Sequence, residues 1–326
     1  MACIDINAIQ KKTHDPYSGY LPFTKEYVEE VEETVQKDSG YGDKRNGGEL
    51  KHYFENEDHQ KNTVSDRDTI LHKIMLIDYT YSTNLVKQKT KIDIFKLADK
   101  IIEIDDLDKK LENGDVSAVS DILRKIENVN LISFASKYCF NHNRLCYGKD
   151  AFSVYDSVVL KAIPYYVEPK NGDFKSFHSS VKSISDYDSF YNLMSKIREL
   201  YDAELSSSRF ANQKRHLLDH FLWYPNKPNK DEIIIKKLLK GSRSHVSKPI
   251  ISSSVTQFWI EGDNAAIIKK LSQNEDELKK KLEAEKVRLV MSTARPDLVG
   301  IEIQKEQKTD GIILRSILAS KPWNEF

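Results

Sequence analysis

The chain has 326 residues, 39% of them hydrophobic and 31% charged, and its 50 Lys+Arg balance 50 Asp+Glu. No apolar run reaches the roughly 18 residues of a membrane span, and the start MACIDINAIQKK has no basic-then-apolar leader pattern, so a cytoplasmic protein without a membrane partner is expected. Three cysteines, Cys3, Cys139 and Cys146, argue for a reducing compartment and against a disulfide framework, and a net charge of zero leaves only a local basic face to attract nucleic acid.

Residues 1–65 are polar and read as an N-terminal extension, with a helix over KEYVEEVEETVQ and a loop at SGYGDKRNGG. The segment 66–240 reads as a helical domain. RDTILHKIMLIDYTYSTNLV sets Ile70, Ile74, Ile77 and Tyr81 on one face of a helix. A second helix is expected over 92–104, with Phe95, Leu97, Ile101 and Ile102 as its apolar residues. The stretch 86–100 carries five lysines against Asp93 and Asp99 and fits a solvated helix surface or a basic face. Asn113-Gly114-Asp115 predicts a turn, with Asp115 or Ser117 capping a helix over 118–126. The pattern breaks at 127–130, and a new helix is expected over 133–141. After the polar loop NHNRLCYGKD, an apolar segment over 154–163 is closed by Pro164. Amphipathic helices follow over 184–204 and 209–223, then a short one over 233–240. Composition changes at GSRSHVSKP. Beyond it, VTQFWI, KVRLVMS, GIEIQ and DGIILRSI read as strands with a Lys/Glu-rich helix between the first two, so 250–326 is expected to form a small α+β domain.

The stretch that carries chemistry is Leu131-Ile132-Ser133-Phe134-Ala135-Ser136-Lys137, followed by FSVYDSVV. It places a lysine at a helix start and an aspartate, Asp156, 19 residues later at the start of an apolar helix. This arrangement resembles the helix–hairpin–helix DNA glycosylase superfamily, most closely its 8-oxoguanine DNA glycosylase branch. That branch's hairpin reads Leu-Pro-Gly-Val-Gly-x-Lys, with a catalytic aspartate at a similar distance downstream. Leu131 falls on the leucine, Ile132 on the proline, Ser133 and Ala135 on the two glycines, Phe134 on the valine and Lys137 on the nucleophile.

The resemblance covers 66–225. It implies a mainly α fold, a helix–hairpin–helix glycosylase domain carrying the small C-terminal α+β domain. It further implies a DNA N-glycosylase acting on double-stranded DNA with an extruded base, without a cofactor. Lys137 would be the nucleophile, with lyase activity at the abasic site, and Asp156 would stabilise charge. Ser133, Ala135 and Ser136 would meet the DNA backbone. Asn84, in the STN helix end, would face the gap left by the extruded base. Asn141, Val158, Asp219 and Trp223 would form the base pocket. Asn141 and Val158 stand where the 8-oxoguanine branch carries cysteine and histidine, so a different damaged or modified base is expected, the modified bases of phage DNA included.

Cleaving a base–sugar bond passes through an oxocarbenium-like sugar, which a carboxylate stabilises. An amine that attacks the anomeric carbon yields a Schiff base. That amine must shed its proton, which desolvation and a helix N-terminus favour and a neighbouring carboxylate opposes. Small hairpin residues let backbone amides approach a phosphate, and Ser133 and Ala135 in place of glycine imply a differently shaped clamp. The alternative is a non-catalytic member of this fold that grips DNA or another protein.

Cys139, His142 and Cys146 supply at most three metal ligands and read better as buried cysteines beside a loop histidine, so no metal is expected. The acidic run over 103–108 has no matching second cluster and reads as a solvated loop or helix cap.

Overall fold

The computed structural model describes residues 4–37, 46–56, 67–83, 85, 93–125, 131–242, 244–252 and 255–305. Asn84, the break over 127–130, the lysines at 87, 89 and 91, the loop over 39–45 and the strand expected over 310–317 lie outside the described residues. The chain is mainly helical with a small β region. It divides into two units, one of 1–12 with 23–225 and one of 13–22 with 226–326.

In the helical unit the N-terminal segment is part of the fold, not an extension of it. Strand β1 (Ile9–Lys11) meets β2 (Val167–Pro169) antiparallel, with Ile9 opposite Pro169. Helix α1 (Lys25–Lys37) buries Val28, Val31 and Val35, an i, i+3, i+7 stripe. Helix α2 (Asn46–Glu55) packs against α3 (Arg67–Tyr81). Helix α3 buries Ile70, Ile74 and Ile77, while Tyr81 at its end is half-buried. Helix α4 (Ile94–Ile102) is capped by the Asp93 carboxylate, which accepts from the amides of Phe95 and Lys96. It buries Leu97, Ala98 and Ile101 but leaves Phe95 exposed. Phe95 is two positions from Leu97 and so cannot share its face.

Helix α5 (Leu107–Asn113) ends at Gly114, whose φ of 70° is left-handed. A Cβ there would lie 2.4 Å from the Ala151 Cβ. Gly114→Ala should therefore cost about 2–4 kcal/mol, from the left-handed backbone and the clash together, and a urea unfolding curve measures it. A loss below about 0.5 kcal/mol, the scale of a neutral surface change, would show that this junction is loose. The Asp115 carboxylate accepts from the Ser117 amide and starts α6 (Ser117–Arg124), which packs on α7 (Ile132–Asn141). After α7 the chain continues through a π-helical turn, His142–Cys146. Helix α8 (Ser157–Ala162), α9 (Phe174–Lys182), α10 (Tyr187–Leu200), α11 (Asp202–Ser206) and α12 (Lys214–Trp223) complete the unit, with α12 against α1 and α8.

The second unit opens with α13 (Lys230–Leu238), which reads as the tail of the helical domain in the sequence. Its Ile235, together with Leu239, instead belongs to the second unit's core. Strands β3 (His245–Val246), β4 (Ile250–Ile251) and β5 (Val255–Glu261) precede α14 (Asn264–Gln273) and α15 (Glu275–Leu282), and β6 (Lys286–Met291) and β7 (Leu298–Gln304) follow. The sheet is antiparallel in the order β3-β5-β7-β6, with β4 also beside β5. Alternation along β5 sends Phe258 and Ile260 into the core with Ile267, Leu271, Leu278 and Leu282 of the helices. Gly300 on β7 has no side chain because the Trp259 ring and Val290 occupy that space; a Cβ would meet Val290 at 2.5 Å. Among the described residues no helix is long and apolar enough to cross a membrane.

Candidate active site

Helix α7 is buried on almost every side. Ile132 and all of Phe134 to Asn141 are buried, and only Ser133 is half-exposed. Within it Ser133, Lys137 and Asn141 stand four residues apart and form one polar stripe. The Lys137 side chain is 5% exposed. Its Nζ donates to Ser133 Oγ at 2.8 Å and to Asp156 Oδ2 at 3.4 Å, and it lies 5.6 Å from the centre of the Tyr81 ring. The Tyr81 hydroxyl donates to Asn141 Oδ1 at 3.1 Å, and Asn141 Nδ2 donates back to the Lys137 carbonyl at 2.7 Å. The polar groups around the amine are therefore tied to one another.

Asp156 is held from its own side. It is the N-cap of α8, and its Oδ1 accepts from the Val158 amide at 2.7 Å, which leaves Oδ2 for Lys137. The extended segment before it belongs to no helix or sheet, so its amides need other partners. Ala151 donates to Asn143 Oδ1, Ser153 to the Tyr187 hydroxyl, Val154 to Asp219 Oδ2 and Tyr155 to Ser136 Oγ. Arg215 on α12 adds a bond to Ser153 Oγ at 3.0 Å. A segment anchored at four amides presents Asp156 at a fixed position. The Asp156 side chain is 18% exposed, and Ser133 and Tyr81 are half-buried, so the pair lies just beneath the surface.

Burial pushes the Lys137 amine below its usual 10.5, against the charge and hydrogen bond of Asp156, which pull it up. Burial likewise drives the Asp219 carboxyl well above the carboxylate range, with its bond to Val154 and the Arg215 charge opposing. The site can thus offer an amine with a lowered proton affinity facing a carboxylate oxygen.

Several expected placements are corrected. Lys137 is the sixth residue of α7 and not its start, so the helix-terminal dipole, which fades within one turn, contributes less than desolvation. Ala135 and Ser136, expected at a DNA backbone, do not reach the surface of α7. Both side chains are buried in α7, the Ala135 amide donates to the Leu131 carbonyl, and Ser136 Oγ donates to the Ser133 carbonyl while holding Tyr155. Ser133 is half-exposed, with its hydroxyl on the lysine. Asn141 and Val158 reach the pair through the bonds above. Asp219, expected in the base pocket, is buried and accepts from Val154 as an anchor of the 151–156 segment. Trp223 is half-buried at the end of α12 beside Tyr224, their ring centres 6.2 Å apart.

Cys139 is buried, and Cys146 Sγ lies 3.5 Å from His142 Nδ1 while donating to the Phe54 carbonyl. Tyr81, grouped with an apolar face in the sequence, is the member of the site that sequence reasoning missed. The signal was its position at a helix end just before the polar STN.

Comparison with known proteins gives two matches. The family model HI_0787_N, an N-terminal domain, matches residues 24–146, a span that includes Lys137 and ends before Asp156. An uncharacterized protein of Haemophilus influenzae is 29% identical over 136 residues, 38% of this chain and 60% of that protein. The chain thus spans less than two thirds of the length of the curated relative it matches. No solved structure matches.

Proposed function

We propose that this chain is a DNA N-glycosylase that uses Lys137 as nucleophile and Asp156 as the partner of the developing sugar cation. The observation that carries this reading is the buried Lys137 amine 3.4 Å from Asp156 at the N-cap of α8. A buried lysine facing a carboxylate is costly to a fold, and such pairs with perturbed proton affinity concentrate at functional sites. In a helix–hairpin–helix glycosylase the same pair does the chemistry.

In the proposed reaction the neutral amine attacks C1′ of an extruded nucleotide. The C1′–N bond breaks, its electron pair leaves with the base, and the base takes up a proton. The carboxylate stabilises the positive sugar along the way. Loss of a proton from the new C–N centre and opening of the sugar ring give the imine from which strand cleavage follows. Asn141, anchored by Tyr81, and Val158, beside Asp156, would border the base. Neither is the cysteine or histidine of the 8-oxoguanine branch, so a different damaged or modified base is the proposed substrate.

The test is base release from duplexes carrying oxidised, alkylated, deaminated, hydroxymethylated or glucosylated bases. Release of one class by the wild type supports the reading. Ser133→Glu adds a second carboxylate beside Lys137 and near any docked phosphate. It should raise the amine's proton affinity, slow release at least tenfold and weaken binding at every sequence. Unchanged rate and unchanged affinity in that variant would show that this end of α7 faces neither reaction nor DNA.

A further inference from the structure

Away from Lys137, helices α1 and α12 bring a second group of chemically competent side chains together. The sequence HLLDH places His216 and His220 one helical turn apart on the same face of α12. Glu32 comes from α1, which packs on that face, 188 residues from His220 in sequence. Glu32 Oε2 is 2.7 Å from His220 Nδ1 and Oε1 is 3.5 Å from His216 Nε2, and the three residues' ligand atoms all lie within 4.8 Å of one another. The two imidazole rings are 3.8 Å apart, and the Phe140 ring of α7 stacks on His216 at 5.7 Å.

We propose that Glu32, His216 and His220 form a binding site for a divalent transition-metal ion of the zinc type, fastening α1 to α12. The donor set selects the ion. Two imidazole nitrogens and one carboxylate suit zinc and its first-row neighbours, whereas magnesium and calcium demand oxygen ligands. The spacing fits as well. With bonds of roughly 2.0–2.1 Å, tetrahedral donors stand about 3.3 Å apart. The His216 Nε2 to Glu32 Oε1 separation of 3.5 Å is close to that value, and the His220 Nδ1 to Oε2 contact of 2.7 Å is to the other carboxylate oxygen, so an ion needs a small turn of the carboxylate and of the His220 ring to share one oxygen with both imidazoles. Glu32 and His216 are each 4% exposed in their side chains and His220 is 20% exposed, so solvent reaches the site beside His220 and can supply the fourth ligand. Phe140 fixes the plane of one imidazole before any ion arrives.

His216 Nδ1, which carries the proton when Nε2 binds a metal, has no hydrogen-bond partner among the described residues. A missing outer partner lowers metal affinity by about 10–100-fold, so a chelator should strip the ion without unfolding the protein. This inference does not rest on the glycosylase reading, because none of the three residues belongs to the Lys137 cluster.

The test is cobalt(II) and zinc(II) titration of the metal-stripped full chain, read by metal analysis after gel filtration and by visible absorption. The expected result is a single cobalt per chain with the intense bands of a four-coordinate site, no thiolate charge-transfer band, and a rise in the thermal midpoint with metal concentration. Glu32→Gln and His220→Gln keep side-chain size and polarity and should abolish both bands and midpoint shift, with an unchanged far-ultraviolet spectrum confirming the fold. If a variant fails to fold, the wild-type cobalt spectrum and metal count decide. Folded wild type that retains no cobalt or zinc, cobalt held with a thiolate band, or folded variants that bind as well as wild type would each overturn the proposal. In those cases the three residues are a hydrogen-bonded brace between the two helices.

Discussion

Lys137→Gln should abolish borohydride trapping of the protein on a substrate duplex, while leaving duplex binding within a few-fold of wild type. Glutamine keeps much of the side chain's length and can still donate to Ser133 Oγ, but it has no amine to form an imine. The buried position makes the outcome informative. An ordinary surface lysine could be replaced within about 0.5 kcal/mol of stability and with no effect on any reaction. Here the amine lies beneath the surface between a hydroxyl, a carboxylate and an aromatic ring. Loss of trapping with retained binding assigns the nucleophile. Loss of trapping with base release intact would instead make the protein a hydrolase in which Asp156 activates water, and would remove Lys137 from the covalent role.

Asp156→Asn should slow base release by about 100-fold or more, the scale on which removal of a transition-state charge partner acts. Asparagine also caps helices well, so the bond to the Val158 amide survives and the fold should be unaffected. Asp156→Ala loses both roles and should cost about 1 kcal/mol of stability in addition. The pH profile separates the electrostatic from the structural effect. Burial lowers the Lys137 proton affinity and Asp156 partly restores it. Trapping should therefore rise with pH through a midpoint below 10.5, where the amine becomes neutral. In Asp156→Asn the restoring charge is gone, so the rising limb should move to still lower pH even as the maximal rate falls.

Stability has a matching sign. Between the lowered folded value and 10.5 the unfolded chain binds more protons at this lysine than the native one does. The Lys137 contribution to stability should therefore increase with pH across that window and vanish from the slope in Lys137→Gln. An unchanged stability–pH slope in that variant would mean that the amine is not desolvated.

Local patterning made much of this legible. The stripe on α1, the Ile70, Ile74, Ile77 face of α3, the Asn113-Gly114-Asp115 turn and the alternation along β5 follow from side-chain period and turn chemistry within one segment. The approach of Lys137 to Asp156 could be expected because 19 residues suffice to leave a helix, turn and cap the next one. What the sequence hid is what depends on distant partners. Helix α7 begins at Ile132, within a residue of the expected 133, but the burial of Phe134, Ala135 and Ser136 inside it, where the small-residue pattern suggested a hairpin open to a phosphate, could not be read from the segment alone. Asp219 finds Val154 from 65 residues away, β1 finds β2 with 158 residues between the paired Gln10 and Glu168, and α13 joins the sheet that follows it instead of the helices before it. None of these pairings leaves a mark in the period of either segment alone. The Glu32–His220 contact is of the same kind: an i, i+4 histidine pair is visible, but the carboxylate that completes it is not.

The most direct test of the central claim is to trap the wild-type protein with borohydride on whichever modified duplex it processes, digest the adduct and locate the modified residue by mass spectrometry. The expected product is a reduced secondary amine joining the deoxyribose to Lys137 Nζ, within the peptide that runs through α7. An adduct on any other amine, or base release that never yields an adduct on Lys137, would contradict it.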